Sequence, residues 1–189
     1  MTLIRPLILG SRCFPVNLVQ GPLAGISCAP FRRLIWEYSQ PAFSYTEMMS
    51  CKTVLYQSKS KIRFLAKDPH EGPVCFQLSG SDPHELGEAV KVVTAHGADL
   101  IDLNCGCPVT KIRSRGAGSK LLMDPSHLAT LIAAMKSNTS VPVSIKIRVD
   151  GHSSDRLNQQ MIAMLNESGV DFVTLPGSEV GEYCPLVRP

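Results

Sequence analysis

Short apolar runs recur along the chain, and between most of them the apolar positions return at helical spacing. The runs at 17–25, 42–50, 72–80, 98–104, 141–149 and 170–178 predict six strands. Helices are predicted over 29–38, from the Ser81-Asp82-Pro83 opening to Gly97, over 124–136, and over 154–168 with Gly169 as its stop. In the second of these, Ser81 or Asp82 can cap the first turn, Pro83 fits that turn, and Leu86, Ala89, Val90 and Val93 share one face. Asp124, Pro125 and Ser126 open the third in the same way.

Runs read as apolar on both faces and alternating with helices predict a parallel sheet covered by helices, an α/β protein. No sequence repeat, low-complexity segment or linker divides the chain, so residues 1–189 are predicted to form one domain. A doubly wound dinucleotide fold announces itself by G-x-G-x-x-G after its first strand, and "GPLAGISCAPF" lacks that spacing. Polar or reactive residues instead stand at the ends of successive runs: Glu47, Gln77, Asn104 with Cys107, and Lys146 with Arg148. Barrels assemble sites from several strand ends at one face, which favours a partial (β/α)8 TIM barrel of about six of the eight parallel strands with intervening helices.

Composition narrows the setting. With 44% hydrophobic and 19% charged residues the chain has material for one sizeable core. It has no membrane-length apolar run, and Arg5 and Pro6 interrupt the N-terminal one, so no membrane segment or leader is expected and the location expected is the cytoplasm. Seven cysteines without a regular framework sit mostly in apolar contexts, as reduced thiols do. A net charge of +3 does not by itself mark a nucleic-acid binder. The basic residues Lys111, Arg113, Arg115 and Lys120 cluster after the 98–104 strand, either as a solvated loop or as a contact surface.

Six segments, "GPLAGISCAPFR", "TEMMS", "FQLSGSDP", "IDLNCGCPVTKI", "GAGSKLLMDP" and "VPVSIKIR", follow one another in an order and spacing that resembles the bacterial-type tRNA-dihydrouridine synthase family over about residues 17–175. The resemblance implies a flavin enzyme on a (β/α)8 barrel that reduces the C5=C6 bond of uridines in tRNA. It implies FMN as cofactor, reduced by NADPH or NADH, with hydride passing to C6 of the base and a proton reaching C5 from a cysteine that matches Cys107 here.

The residues suit those roles. A thiol with an unperturbed pKa of ~8.5 is mostly protonated at neutral pH and can act as a general acid. Pro108 stiffens the turn, and Gly106 is expected to let the backbone approach flavin or base. Cys105 fills a variable position of the motif and is expected to pack. A metal is not expected, because C-x-C lacks the paired cysteines or histidines of a zinc site; nor is it a thioredoxin C-x-x-C pair. By resemblance Pro22, Leu23 and Ala24 lie against the isoalloxazine, with leucine in place of the usual methionine, and Gln77 meets its polar edge. Lys146, between Ile145 and Ile147, is costly to bury without an anion and would stabilise the reduced flavin. Arg148, on the same side of the strand, and Asn104 are expected to line the site, with Lys111 and Arg113 toward the substrate.

The sequence also departs from the family. Pro176 and Ser178 stand where a Val-His-Gly-Arg-like element is expected, and the chain stops at "EYCPLVRP", before barrel strands seven and eight and the C-terminal helical tRNA-binding domain. The expectation is therefore a truncated member with open edges at its first and sixth strands, prone to self-association and holding FMN weakly. Two other expectations stay open: a non-catalytic remnant acting as a protein- or RNA-binding module, and another FMN-dependent barrel oxidoreductase.

Overall fold

In a computed structural model, which describes residues 4–10, 12–56, 63–148 and 155–175, the alternating pattern becomes a parallel sheet curled around a filled interior. A hairpin of β1 (Leu7–Leu9) and β2 (Arg12–Phe14) comes first. The chain continues through β3 (Val19–Gln20), α1 (Ala29–Ser39), β4 (Phe43–Tyr45), β5 (Met49–Ser50), α2 (Cys51–Tyr56), β6 (Val74–Ser79) and α3 (Pro83–Ala95). It then forms β7 (Leu100–Cys105), α4 (Thr110–Arg113), a 3-10 turn over Gly118–Met123, α5 (Pro125–Lys136), β8 (Val143–Ile147), α6 (Asp155–Glu167) and β9 (Phe172–Thr174).

The sheet order is β3-β4-β6-β7-β8-β9, with every pairing parallel and β5 pairing with β6 as a continuation of the second strand position. Six strand positions alternate with helices, as the apolar runs predict. The predicted caps form: Asp82 accepts the backbone N–H of Glu85 at 2.8 Å, and Asp124 that of His127 at 3.0 Å. Gly97 and Gly169 take the left-handed conformation that ends their helices, with φ of 83° and 70°.

The two faces of the sheet differ, contrary to the expectation of strands apolar on both sides. The outer face carries Val74, Phe76, Leu78, Ile101, Leu103, Cys105, Val143 and Ile145, packed on Leu86, Ala89, Val90 and Val93 of α3 and on Leu128, Leu131, Ile132 and Met135 of α5. Each Val, Leu, Ile, Phe or Met among them contributes about 1.5–3 kcal/mol by burial. The inner face is apolar only at its N-terminal end, where Phe14, Phe43, Cys75 and Leu100 pack with Phe172. Above that layer stand Tyr45, Gln77, Asp102, Ser144 and Thr174, and above those Asn104 and Lys146, adjacent in register. Barrel interiors fill by such layers. The run-based reading missed the polarity because each strand's polar residues alternate with bulky apolar ones.

The N-terminal hairpin is a second departure, since the pattern predicts no strand before residue 17. Leu7, Leu9 and Phe14 pack on the lower interior layer, and Arg12 reaches Asp99 at 3.4 Å. Asp99 and Asp171 play matching parts below β7 and β9. Each accepts the first backbone N–H of a neighbouring strand, from Val74 at 2.9 Å and Val143 at 2.7 Å, and each binds a lysine, Lys67 at 2.7 Å and Lys136 at 2.6 Å. The sixth strand is shorter than the predicted 170–178, and Pro176 and Ser178 lie outside the described residues.

Candidate active site

A bulge in the second strand position begins the site. Tyr45 pairs with Cys75 and Met49 with Leu78, so four steps on one strand match three on the other. Thr46 fills the gap with its side chain, its Oγ1 accepting the Gln77 N–H at 3.0 Å. The extra residue re-aims Glu47, whose buried carboxylate accepts the Gly25 N–H at 2.6 Å. Gly25 has φ of 78°, a conformation that suits glycine. The loop containing Pro22, Leu23 and Ala24 is fixed further by Ser27, whose hydroxyl accepts the Leu23 N–H at 2.9 Å. Leu23 and Ala24 are exposed and Pro22 is half-buried.

From β6 and β7 a line of hydrogen bonds climbs the interior. Asp102, with no exposed surface, accepts from Ser144 Oγ at 2.6 Å and from Gln77 Nε2 at 2.8 Å. Gln77 Oε1 accepts from Asn104 Nδ2 at 3.1 Å. Asn104 Oδ1 then accepts the backbone N–H groups of Gly106 at 3.2 Å and Cys107 at 2.9 Å. Burial pushes the Asp102 carboxyl up to about 6, while the Ser144 and Gln77 hydrogen bonds and the Lys146 charge pull it down. Burial also raises the Tyr45 phenol and the Cys75 thiol beside it, with the Asp102 charge adding to both.

Cys107 is half-buried at the carboxyl end of β7. Its carbonyl accepts the Ser119 N–H at 3.0 Å, which folds the intervening basic segment back onto the cysteine turn. Gly118 makes this closure possible: its φ is 64°, and a Cβ there would sit 2.6 Å from the Cys107 carbonyl oxygen. Gly106 lets the turn lie close to the end of β8, because a Cβ there would meet the Ile147 carbonyl carbon at 3.3 Å and the Arg148 nitrogen at 3.4 Å. Cys105 points to the opposite side and is buried in the helix-facing core, the packing part expected of it.

Lys146 stands beside Asn104 in the β7–β8 register and is half-buried. Its ammonium makes no hydrogen bond or ion pair among the described residues. Burial lowers its pKa, Asp102 opposes that shift, and Arg148 adds to it. Arg148 is exposed just past the strand end, and Lys111 and Arg113 are exposed on α4. The structure thus brings together Gln77, Asn104, Cys107 and Lys146 at the carboxyl ends of adjacent strands, with the 21–28 loop at the neighbouring β3 and β4 positions. Gln77 lies deepest, its amide engaged at both ends.

Asp102, Ser144 and Arg32 were missed by sequence reasoning. An acid placed between Ile101 and Leu103 in a predicted strand was the signal for the first, since alternation assigns it to the face opposite the apolar pair.

Strand order, layered interior and polar strand ends define part of a (β/α)8 barrel. Two solved structures share this arrangement. A variant of NCR from Zymomonas mobilis superposes with a TM-score of 0.66 at 10% identity, covering all of this chain and 73% of that one. Histamine dehydrogenase from Rhizobium sp. 4-9 superposes at 0.59 with 12% identity, covering 84% and 34%. At those identities the likeness bears on fold alone. The profile described as Dihydrouridine synthase (Dus) matches residues 18–178, and on that match the chain belongs to the dihydrouridine synthase family. The probable tRNA-dihydrouridine synthase 1 of Synechocystis sp. is 32% identical over 173 residues, 92% of this chain and 48% of its own length. The tRNA-dihydrouridine synthase B of Escherichia coli K12 is 35% identical over 163 residues, 85% and 50% respectively. The chain spans about half the length of these curated relatives.

Proposed function

We propose that this chain supplies the thiol-bearing and flavin-facing half of a tRNA-dihydrouridine synthase, which reduces uridine to 5,6-dihydrouridine in tRNA at the expense of NADPH or NADH, in the cytoplasm. The observation that carries the reading is the fixed placement of Cys107 over the strand ends, one strand from Lys146. FMN, when bound, supplies the hydride that a thiol cannot.

The donor set fits that group: Lys146 is a half-buried cation that makes no hydrogen bond or ion pair among the described residues, suited to an anionic ring edge. Pro22, Leu23 and Ala24 offer a loop whose backbone Glu47 and Ser27 hold still. Gln77 and Asn104 carry the remaining amide valences of the pocket floor. Cys107 then gives its proton to C5 of the uracil, and its fixed backbone keeps the thiol in one place while it does so. Arg148, Lys111 and Arg113, all exposed near this mouth, meet the phosphates of the RNA.

Open backbone edges at β3 and β9, which have no ladder partner on their outer sides among the described residues, make self-association of the 189-residue chain part of the same reading. Light scattering tests it. The enzymatic reading is tested by adding FMN, NADPH and an unmodified tRNA transcript and counting dihydrouridine by mass spectrometry. Flavin absorbance that co-purifies and a gain of 2 Da in RNA, ~2 hydrogens per uridine, are expected. A colourless protein that cannot be reconstituted, leaving the RNA unchanged, overturns it.

A further inference from the structure

The hydrogen-bond line beneath Cys107 has a direction, and its two ends agree on it: Asp102 accepts at the bottom, and the Gly106 and Cys107 N–H groups donate at the top. A side-chain amide can face either way, with its oxygen and nitrogen exchanged, so Gln77 and Asn104 each have two orientations. An ionised carboxylate only accepts. Asp102, receiving Ser144 Oγ on one oxygen, therefore obliges Gln77 to present its NH2 group to the other. That turns Gln77 Oε1 toward Asn104, which must answer with its own NH2. Only then is Asn104 Oδ1 left to receive the N–H groups of Gly106 and Cys107. If Gln77 were reversed, its NH2 would face the Asn104 NH2, or Asn104 would turn its NH2 against two backbone donors; each arrangement leaves buried polar groups unpaired.

We propose that Asp102 is a positioning residue: as the buried terminal acceptor it holds the Gln77 and Asn104 amides in the orientation the backbone donors require, and thereby holds the turn that carries Cys107. This rests on the reading of Cys107 as the reacting thiol. The role runs from a group with no exposed surface to one at the mouth, through two side chains, and needs no contact between Asp102 and substrate or cofactor. Asparagine at this position keeps the line: its oxygen accepts from Gln77 and its NH2 donates to Ser144, whose hydroxyl reverses. Leucine keeps the shape and removes both acceptors.

The test is alkylation of the folded protein by iodoacetamide, with each cysteine followed by peptide mass spectrometry, in Asp102→Asn and Asp102→Leu. Cys51 and Cys105, both buried, report global opening. In Asp102→Leu the Cys107 rate should rise ~10-fold or more, as expected when a buried hydrogen bond that closes a turn is lost, while Cys51 and Cys105 stay slow. Asp102→Asn should stay within ~3-fold of the parent. An unchanged Cys107 rate in the leucine variant, or a rise shared by Cys51 and Cys105, overturns the proposal. Should Asp102→Leu fail to fold, Gln77→Met breaks the next link and must release Cys107 selectively; if it does not, the proposal is wrong. Alkylation does not require Cys107 to donate a proton to uridine, so failure of the catalytic reading would show in the dihydrouridine assay and leave this result standing.

Discussion

Arg32 Nε and Glu71 Oε2 lie 2.7 Å apart, with each side chain only 1% exposed. The guanidinium also donates to Glu71 Oε1 at 3.0 Å, to the Ser27 carbonyl at 2.7 Å and to the Ala66 carbonyl at 2.8 Å. Arg32 thus ties the end of the 21–28 loop to the segment before β6. Removing one member strands a buried charge, which costs ~3–5 kcal/mol, whereas replacing both by apolar groups is often close to neutral. Arg32→Met should lower the unfolding free energy in urea by that amount, and Arg32→Met with Glu71→Leu should recover most of it. A single-variant loss under ~1 kcal/mol would show that the pair is not the clamp its geometry suggests.

Cys107→Ala should leave reduction of bound flavin by NADPH intact and lower dihydrouridine formation ~100- to 10,000-fold, the usual consequence of deleting a general acid. Stopped-flow bleaching of the flavin and mass spectrometry of the tRNA separate the two half-reactions. Undiminished dihydrouridine removes Cys107 from the chemistry.

Lys146→Met should have the opposite division of effects. A cation beside an anionic ring favours the reduced form, so its loss should weaken FMN binding and lower the flavin potential. Equilibrium dialysis and a reductive titration against a reference dye measure these. Parent values for both would take Lys146 out of the cofactor site.

The outline of the fold was legible because its signals are local: apolar runs at 72–80 and 98–104, Asp-Pro helix openings, glycine stops. The interior was not, because Tyr45 Oη meets Thr174 Oγ1 at 3.1 Å and Phe43 meets Phe172 at 6.1 Å between strands far apart in sequence. Nothing in either segment names the other. Asp99 and Asp171 were a nearer miss. "HGADLI" and "SGVDFV" share a glycine, one apolar residue and an aspartate before a strand, a recurrence too short to stand out as a sequence repeat. In the site, motif spacing led to Cys107, Asn104 and Lys146, but the motif gives no donor direction. Asn104 was expected to line the mouth, and its oxygen proves committed to the cysteine turn.

Asp102 also makes a prediction about pH, and its sign is opposite to that of a salt-bridged carboxylate. Its folded pKa is raised from 3.8 to about 6 by burial, against the pull of Ser144, Gln77 and Lys146. Between those values the folded protein holds more protons than the unfolded chain, so this group's contribution to stability is complete below about 4 and is lost as pH rises through about 6. The loss above that point is about 3 kcal/mol, the free energy corresponding to the displacement of its pKa. Tyr45 and Cys75, which lie against Asp102 and are raised by the same burial, stay neutral in this window and do not reverse the sign. Asp102→Asn, which keeps the hydrogen bonds and cannot ionise, should therefore be more stable than the parent at pH 7–8 by up to ~3 kcal/mol, with the gap closing as pH falls toward 4. Urea denaturation of both proteins at a series of pH values measures the gap directly. A gap that stays constant across the series would mean that Asp102 is not held at a raised pKa, and a gap that widens toward low pH would mean that the carboxylate is stabilised where it lies.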